Sequence, residues 1–369
     1  MNLSTQSGFQ NWKEDDSFLE KRVTNFANLE GGKVYVLKWH FVSADRLGQM
    51  EELNERAQNK TRVMEFIFLG FPGSLYVQMG IFMSFLIMYI LTVLGNVTII
   101  ILVITNSHLH TPMYVFLCNL SFLELWFTMA IMPKTLAVFL GESRSISFTG
   151  CLLQMFFNYS FGCTEFFMLS VMAYDRYLAI CYPLHYSTLM DIKLCCKLVV
   201  VSWLFGFLAM STPTVLISKL SFCGPNVINH FYCHIDSWIL LSCTDTYSVE
   251  KAMFVVAIIV IFGSCLITFL SYVYIISTIL RIASAKGRLK AFSTCSSHLA
   301  VVIIWYGSSM ILYIKPSKRS SAEMTKIVNI LNTIVTPLLN PFIYSLRNKD
   351  VKKALKHSLY WSQRKTFVM

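Results

Sequence analysis

Hydrophobic residues gather into seven continuous runs, at 77–104, 113–139, 148–174, 197–217, 252–280, 292–314 and 325–346, separated by short polar segments. Each run is long enough, as a helix, to cross a hydrocarbon core of roughly 30 Å. None alternates apolar with polar as a lipid-facing barrel strand does, so the pattern predicts helices. An odd number of spans puts the chain ends on opposite sides of the membrane. Between Lys349 and Leu359 the pattern changes. Val351, Ala354, Leu355 and Leu359 share one helical face while Lys352, Lys353 and Lys356 take the other, as in a helix lying in the membrane interface. The expected fold is an all-α membrane protein, a seven-transmembrane helix bundle with a short amphipathic helix after the last span. Residues 1–49 are polar and charge-rich, which predicts a disordered extension. Residues 50–76 form a tail, 77–346 the bundle and 347–369 a second tail.

Composition agrees with a bilayer. The chain is 55% hydrophobic with a mean hydropathy of +0.56, and 14% charged, against roughly 25% charged in soluble domains. The net charge of +11 does not point to nucleic acid, because the basic residues are spread over loops and a tail instead of forming one aromatic-interleaved face. Arg347, Lys349, Lys352, Lys353, Lys356, Arg364 and Lys365 follow the last span directly, which suits membrane lipid of an anionic cytoplasmic leaflet. Arg281, Lys286, Arg288 and Lys290 crowd one short loop on that same side, so this side is expected to be cytoplasmic and the N-terminus extracellular. Lys315, Lys318, Arg319 and Lys326 on the opposite side weaken the bias without reversing it. The longest apolar stretch before the first span, Val34 to Leu37, is too short for a signal peptide, so the first span is expected to direct its own insertion.

Candidate chemistry clusters at a few points. Asp175 and Arg176 come directly after a span whose one charge is Glu165. A lone interfacial Arg commonly snorkels toward headgroups. Four cysteines, Cys151, Cys223, Cys233 and Cys243, fall on the expected outer side; the other seven lie in spans or at cytoplasmic ends. Four oxidisable cysteines allow three connectivities. His230, Cys233 and His234 have soft-metal spacing, but a disulfide would consume the thiolate. Asn59-Lys60-Thr61 is the accessible glycosylation sequon. The sequons at Asn96, Asn119 and Asn158 lie within spans. Glu124 and Glu165 sit at similar depth in antiparallel spans; two close carboxyls cannot easily both ionise, so one is protonated or a cation lies between them. A hydrogen-bonded polar plug is the alternative, and an ion-coupled transporter using both is a rival function, though the chain lacks the repeats and paired helix breaks of such transporters. It also lacks a nucleophile–base set or a metal-ligand helix, so no enzyme is expected. Pro341 removes a backbone donor and is expected to loosen the last span at Asn340.

Four motifs carry a family resemblance: Leu109-His110-Thr111-Pro112-Met113-Tyr114; Met172-Ala173-Tyr174-Asp175-Arg176-Tyr177-Leu178-Ala179-Ile180-Cys181; Lys290-Ala291-Phe292-Ser293-Thr294-Cys295-Ser296-Ser297-His298-Leu299; and Pro337-Leu338-Leu339-Asn340-Pro341-Phe342-Ile343-Tyr344-Ser345-Leu346-Arg347-Asn348. In that order they resemble the olfactory branch of the rhodopsin-like G-protein-coupled receptors, over about residues 59 to 360. Residues 1–49 match nothing there, and Met50 stands where such chains usually start.

The resemblance implies a plasma-membrane receptor that binds a small volatile odorant, activates a heterotrimeric stimulatory G protein and raises cyclic AMP. It implies disulfides Cys151–Cys233 and Cys223–Cys243, which would hold the long loop as a lid. Asp175, Arg176, Tyr177, Tyr272, Asn340, Pro341 and Tyr344 would form the activation switch. An allosteric sodium ion is implied near Asn96, Glu124, Glu165 and Asn340, with Glu124 standing where the family usually has Asp. The ligand-lining positions implied are Asn158, Tyr159, Gly162 and Cys163 on span three, Val256 and Val260 on span five, and Thr333 on span seven. On span six Tyr306, Ser309 and Tyr313 recur at helical spacing on one face. Span three has no Asp where amine receptors place one, so the ligand is expected to be neutral and mostly apolar, with His234 and Asp236 available to a polar end.

Overall fold

The computed structural model describes residues 63–71, 74–141, 144–223, 225–313, 321–347 and 350–357. The expected extension 1–49 and the sequon at Asn59 lie outside them. Seven long helices appear among the described residues: α1 (Leu75–Thr105), α2 (Pro112–Phe139), α3 (Phe148–Cys181), α4 (Ile192–Ser218), α5 (Tyr247–Arg281), α6 (Ala285–Tyr313) and α7 (Ser321–Ile330 continuing through Leu331–Val335 to Thr336–Arg347). All but α3 are long and apolar enough in themselves to cross a membrane. α3 is the more polar helix because it is central, packing against α2, α4, α5 and α6. The chain is a multi-pass membrane protein built as a seven-helix bundle.

The helices outrun the apolar windows, because local caps set their ends. Pro112 occupies the first turn of α2, where its missing N–H costs nothing. Ser147 Oγ accepts from Gly150 N at 3.1 Å to open α3, and Asp191 Oδ1 accepts from Leu194 N at 2.8 Å to open α4. Two π turns interrupt the ladder, Ile258–Phe262 in α5 and Leu331–Val335 in α7. The chain stays helical through Pro341. The carbonyl that Pro341 leaves without its helical donor, Pro337 O, accepts from Asn96 Nδ2 of α1 at 3.2 Å. The proline ring nests on Gly95, where a Cβ would lie 2.9 Å from Pro341 Cγ. A neighbouring helix thus supplies both the missing bond and the space.

One feature of the fold has no counterpart in the hydrophobic pattern. Residues before α1 form a strand, β1 (Glu65–Phe68), that runs antiparallel to β2 (Ser145–Ser147) and parallel to β3 (Val227–Ile228), in the order β2-β1-β3. The tail is therefore the central strand of a sheet across one end of the bundle. Phe66 and Phe68 are fully buried, with Phe66 against Phe148, Phe222 and Trp238 at ring separations of 5.0–6.1 Å. The long loop that carries β3 is pinned by disulfides Cys151–Cys233, to the start of α3, and Cys223–Cys243, within the loop. At the other end, residues 350–357 form a helix whose Val351 is buried while Lys352, Lys353 and Lys356 are exposed.

Candidate functional site

Beneath the sheet, a polar network joins α3, the loop and α7. Gln154 of α3 donates from Nε2 to Ala130 O and accepts Cys233 N on Oε1, both at 3.0 Å, fixing the loop beside its disulfide. Tyr159 Oη accepts from Ile235 N at 3.3 Å. Tyr232 is fully buried; its hydroxyl donates to Asn329 Oδ1 of α7 at 3.1 Å and is in hydrogen-bonding reach of Asn158 and Tyr159. Burial, and then the Asp236 carboxylate, hold its phenol above the ordinary range, so it remains a donor. Asn329 Nδ2 lies 3.3 Å from His230 Nε2. His230 and His234 are buried, with rings 5.1 Å apart. Cys233 being bonded, the soft-metal set is reduced to imidazoles, and His234 instead caps a short helix by accepting from Asp236 N on Nδ1.

Lys326 is a second buried polar anchor. Within the span predicted for it, it is a buried α7 residue whose Nζ donates to Gly70 O at 3.1 Å and Asn229 Oδ1 at 2.7 Å, over the Phe71 ring. It ties tail, loop and α7 together. Lys326→Met keeps the stem but strips the donor, and is expected to cost roughly 1–3 kcal/mol. A lower midpoint in a detergent heat-inactivation assay, with Lys326→Arg losing less, is the check.

Deeper in the bundle, the expected ligand positions fall on inward surfaces of four helices. Asn158, Cys163, Val260, Tyr306, Ser309 and Thr333 are buried; Tyr159 and Val256 are half-buried. The Tyr313 side chain lies outside the described ones. A Cβ placed on Gly162 would meet only Phe127 Cε2 and Trp305 Cζ2, each at 4.0 Å, so the Gly162 face borders those two rings without crowding. Tyr306 donates to Ser264 Oγ at 2.8 Å and packs edge-on to Phe166. Thr333 Oγ1 is committed to Asn329 O at 2.7 Å. Trp305, Tyr232 and Asn329 were not singled out in sequence; an aromatic one position before Tyr306 is a weak signal, and the other two are revealed only by contact.

At mid-bundle, Asn340 Nδ2 donates to Glu124 Oε1, and Glu124, Glu165 and Asn340 are mutually within hydrogen-bonding reach. Both carboxyls are at most 1% exposed. Glu124 Oε2, Glu165 Oε1, Asn340 Oδ1 and Asn96 Oδ1 are buried with no hydrogen-bond partner. Two carboxyls and two amide oxygens suit a hard cation, or a proton shared by the acids. Asn96 belongs to the same region through Pro337, one turn before Asn340.

At the far end, Arg176 is 8% exposed and does not snorkel. Its Nη2 and Nε donate to Asp175 Oδ2, the latter at 3.0 Å, while Tyr186 Oη donates to Asp175 Oδ1 at 2.6 Å. Burial, and then the Asp175 carboxylate, raise the Tyr186 phenol, so it keeps the proton it donates. Tyr177 Oη donates to Tyr182 at 3.4 Å. Tyr272 is 2.8 Å from His298 Nδ1, whose Nε2 is 3.1 Å from Leu169 O, so α5, α6 and α3 are bonded through one imidazole. Tyr344 Oη is buried and unpaired. Met172, Arg176, His298 and Tyr344 line a narrow cleft here. Tyr186 and His298 were not assigned roles from sequence, although His298 lies within one of the motifs.

A family profile described as olfactory receptor matches residues 85–362. Human Olfactory receptor 6F1 is 61% identical over 297 residues, covering 80% of this chain and 96% of that protein. Olfactory receptor 287 of Rattus norvegicus is 58% identical, covering 82% and 97%. Squid rhodopsin superposes with a TM-score of 0.61 at 17% identity, over 79% of this chain and 88% of its own, a likeness of fold.

Proposed function

Since the chain belongs to the olfactory receptor family, a family of receptors and not of enzymes or transporters, we propose that it binds a small volatile odorant under the loop and signals through a heterotrimeric stimulatory G protein, raising cyclic AMP. The observation that carries this reading is the Asp175–Arg176 lock at the end opposite the loop, held shut by Tyr186 and roofed by the unpaired Tyr344 hydroxyl. A ligand that prefers the open bundle shifts a pre-existing equilibrium only as far as its preference for that state. In the open state Arg176 leaves Asp175, and the Tyr272–His298 link and Tyr344 take new partners, clearing a surface for the G protein.

The disulfide end then faces outward, where oxidation is sustained, and the helix at 350–357 lies on the cytoplasmic leaflet with its lysines toward anionic lipid. The Glu124, Glu165 and Asn340 cluster binds a sodium ion, which neutralises one carboxyl and favours the closed bundle. Arg176→Ala is expected to reduce odorant-evoked cyclic AMP at least about tenfold at equal surface level, because the interaction lost is one made in the signalling state. An undiminished response in that variant defeats the proposed coupling.

A further inference from the structure

Resting on the odorant-receptor reading, we infer that the ligand is an alcohol or phenol whose hydroxyl donates to Asn158 Oδ1 and whose hydrocarbon body lies along Gly162 against Phe127 and Trp305. Asn158 is 4% exposed. Its amide is within hydrogen-bonding reach of the Tyr232 hydroxyl, which itself donates to Asn329 Oδ1. Its carbonyl oxygen has no partner. A buried acceptor of this kind costs free energy until a donor reaches it, and a site with such a group discriminates by what the ligand can donate.

Shape points the same way. One helical turn deeper, on the same face as Asn158, Gly162 presents no side chain, and a Cβ there would touch the Phe127 and Trp305 rings at 4.0 Å without a clash. Phe127 and Trp305, their rings 6.2 Å apart, form that wall. Polar roof and aromatic floor thus accommodate a molecule with one donating end. Ethers, esters, ketones and aldehydes can accept but leave Asn158 Oδ1 unsatisfied.

The test uses the full chain in cells, reading cyclic AMP against matched sets of short alkyl and aryl alcohols, their methyl ethers, aldehydes and parent hydrocarbons, with surface labelling in every arm. The active alcohol is expected to act at about one-tenth or less of the concentration its methyl ether needs. Asn158→Leu, with the same branching and number of heavy atoms but without an acceptor, is expected to abolish that ratio while retaining a hydrocarbon-driven response. Asn158→Ser, which keeps an oxygen, is expected to retain the direction of preference and guards against a folding failure of the leucine variant. Aldehydes or ethers acting as well as alcohols on the unaltered chain overturn the inference and leave the receptor reading intact. A ratio that survives Asn158→Leu also overturns it. Silence toward every compound, with receptor at the surface, overturns both.

Discussion

Substituting valine for Gly206 is expected to remove most of the folded receptor from the cell surface. A Cβ on Gly206 would collide with Thr164 Oγ1 and lie 2.8 Å from Thr164 N. The first clash could be relieved by a rotamer change, although Thr164 Oγ1 is itself bonded to Ser160 O at 2.8 Å. The second cannot, because it is with the backbone of α3. Valine therefore forces α3 and α4 apart along an extensively packed helix pair. Overpacking a close-fitted interface costs about 3 kcal/mol or more, a large share of a total stability of roughly 5–15 kcal/mol. Small residues at membrane helix crossings have this role, since close backbone approach supplies packing that lipid competition otherwise cancels. Gly263 is the matched control: nothing lies within 4 Å of its added Cβ, so Gly263→Ala should leave expression unchanged or raise it slightly by lowering backbone entropy. Flow cytometry on an N-terminal tag distinguishes the two. Equal surface levels for both variants would show that α3 and α4 do not pack as described.

Loss of Cys151 should be nearly as severe. Its bond to Cys233 closes a loop of sequence separation 82 and ties the lid to α3, whereas Cys223–Cys243 closes a separation of 20 within the lid. Removing a native disulfide costs about 2–5 kcal/mol, and chain entropy makes the longer loop worth about 1 kcal/mol more. Cys151→Ser is therefore expected to lose ligand response and heat resistance to a greater degree than Cys223→Ser. Gln154 holds Cys233 N independently of the sulfurs, so Cys151→Ser should retain a reduced folded population, and the double variant Cys151→Ser with Gln154→Ala should lose it. Equal loss in both single-cysteine variants would mean that the inner disulfide, and not the link to α3, holds the lid.

The readable part of the molecule is what a bilayer enforces. Backbone groups in hydrocarbon must be bonded within their own segment, so a continuous apolar run is already a helix, and all seven windows lie on α1 to α7 almost in their entirety. Polar residues stranded in those runs, Glu124, Glu165, Asn158 and Asn340, were legible as interior groups for the same reason, since facing lipid is costly. Helix ends were less legible. Ser147 and Asp191 are ordinary residues that become caps, and Pro112 one that opens a first turn, only because the segment C-terminal to each is helical.

The sequence by itself determined the seven spans, the inward polar positions and the Asp175–Arg176 pair, because each arises from local composition and helical period. Tertiary structure alone decided that residues 65–68 form the middle strand of the lid, that Lys326 is buried, and that Asn158, Tyr232, Asn329 and His230 form one network. Those features join short segments separated by up to 256 residues, as Lys326 and Gly70 are. A strand of four residues or fewer carries too little period to be seen, and a hydrogen bond between distant segments leaves no mark in the pattern of either. Only the closure of the bundle, which brings their donors and acceptors together away from water, assigns them partners.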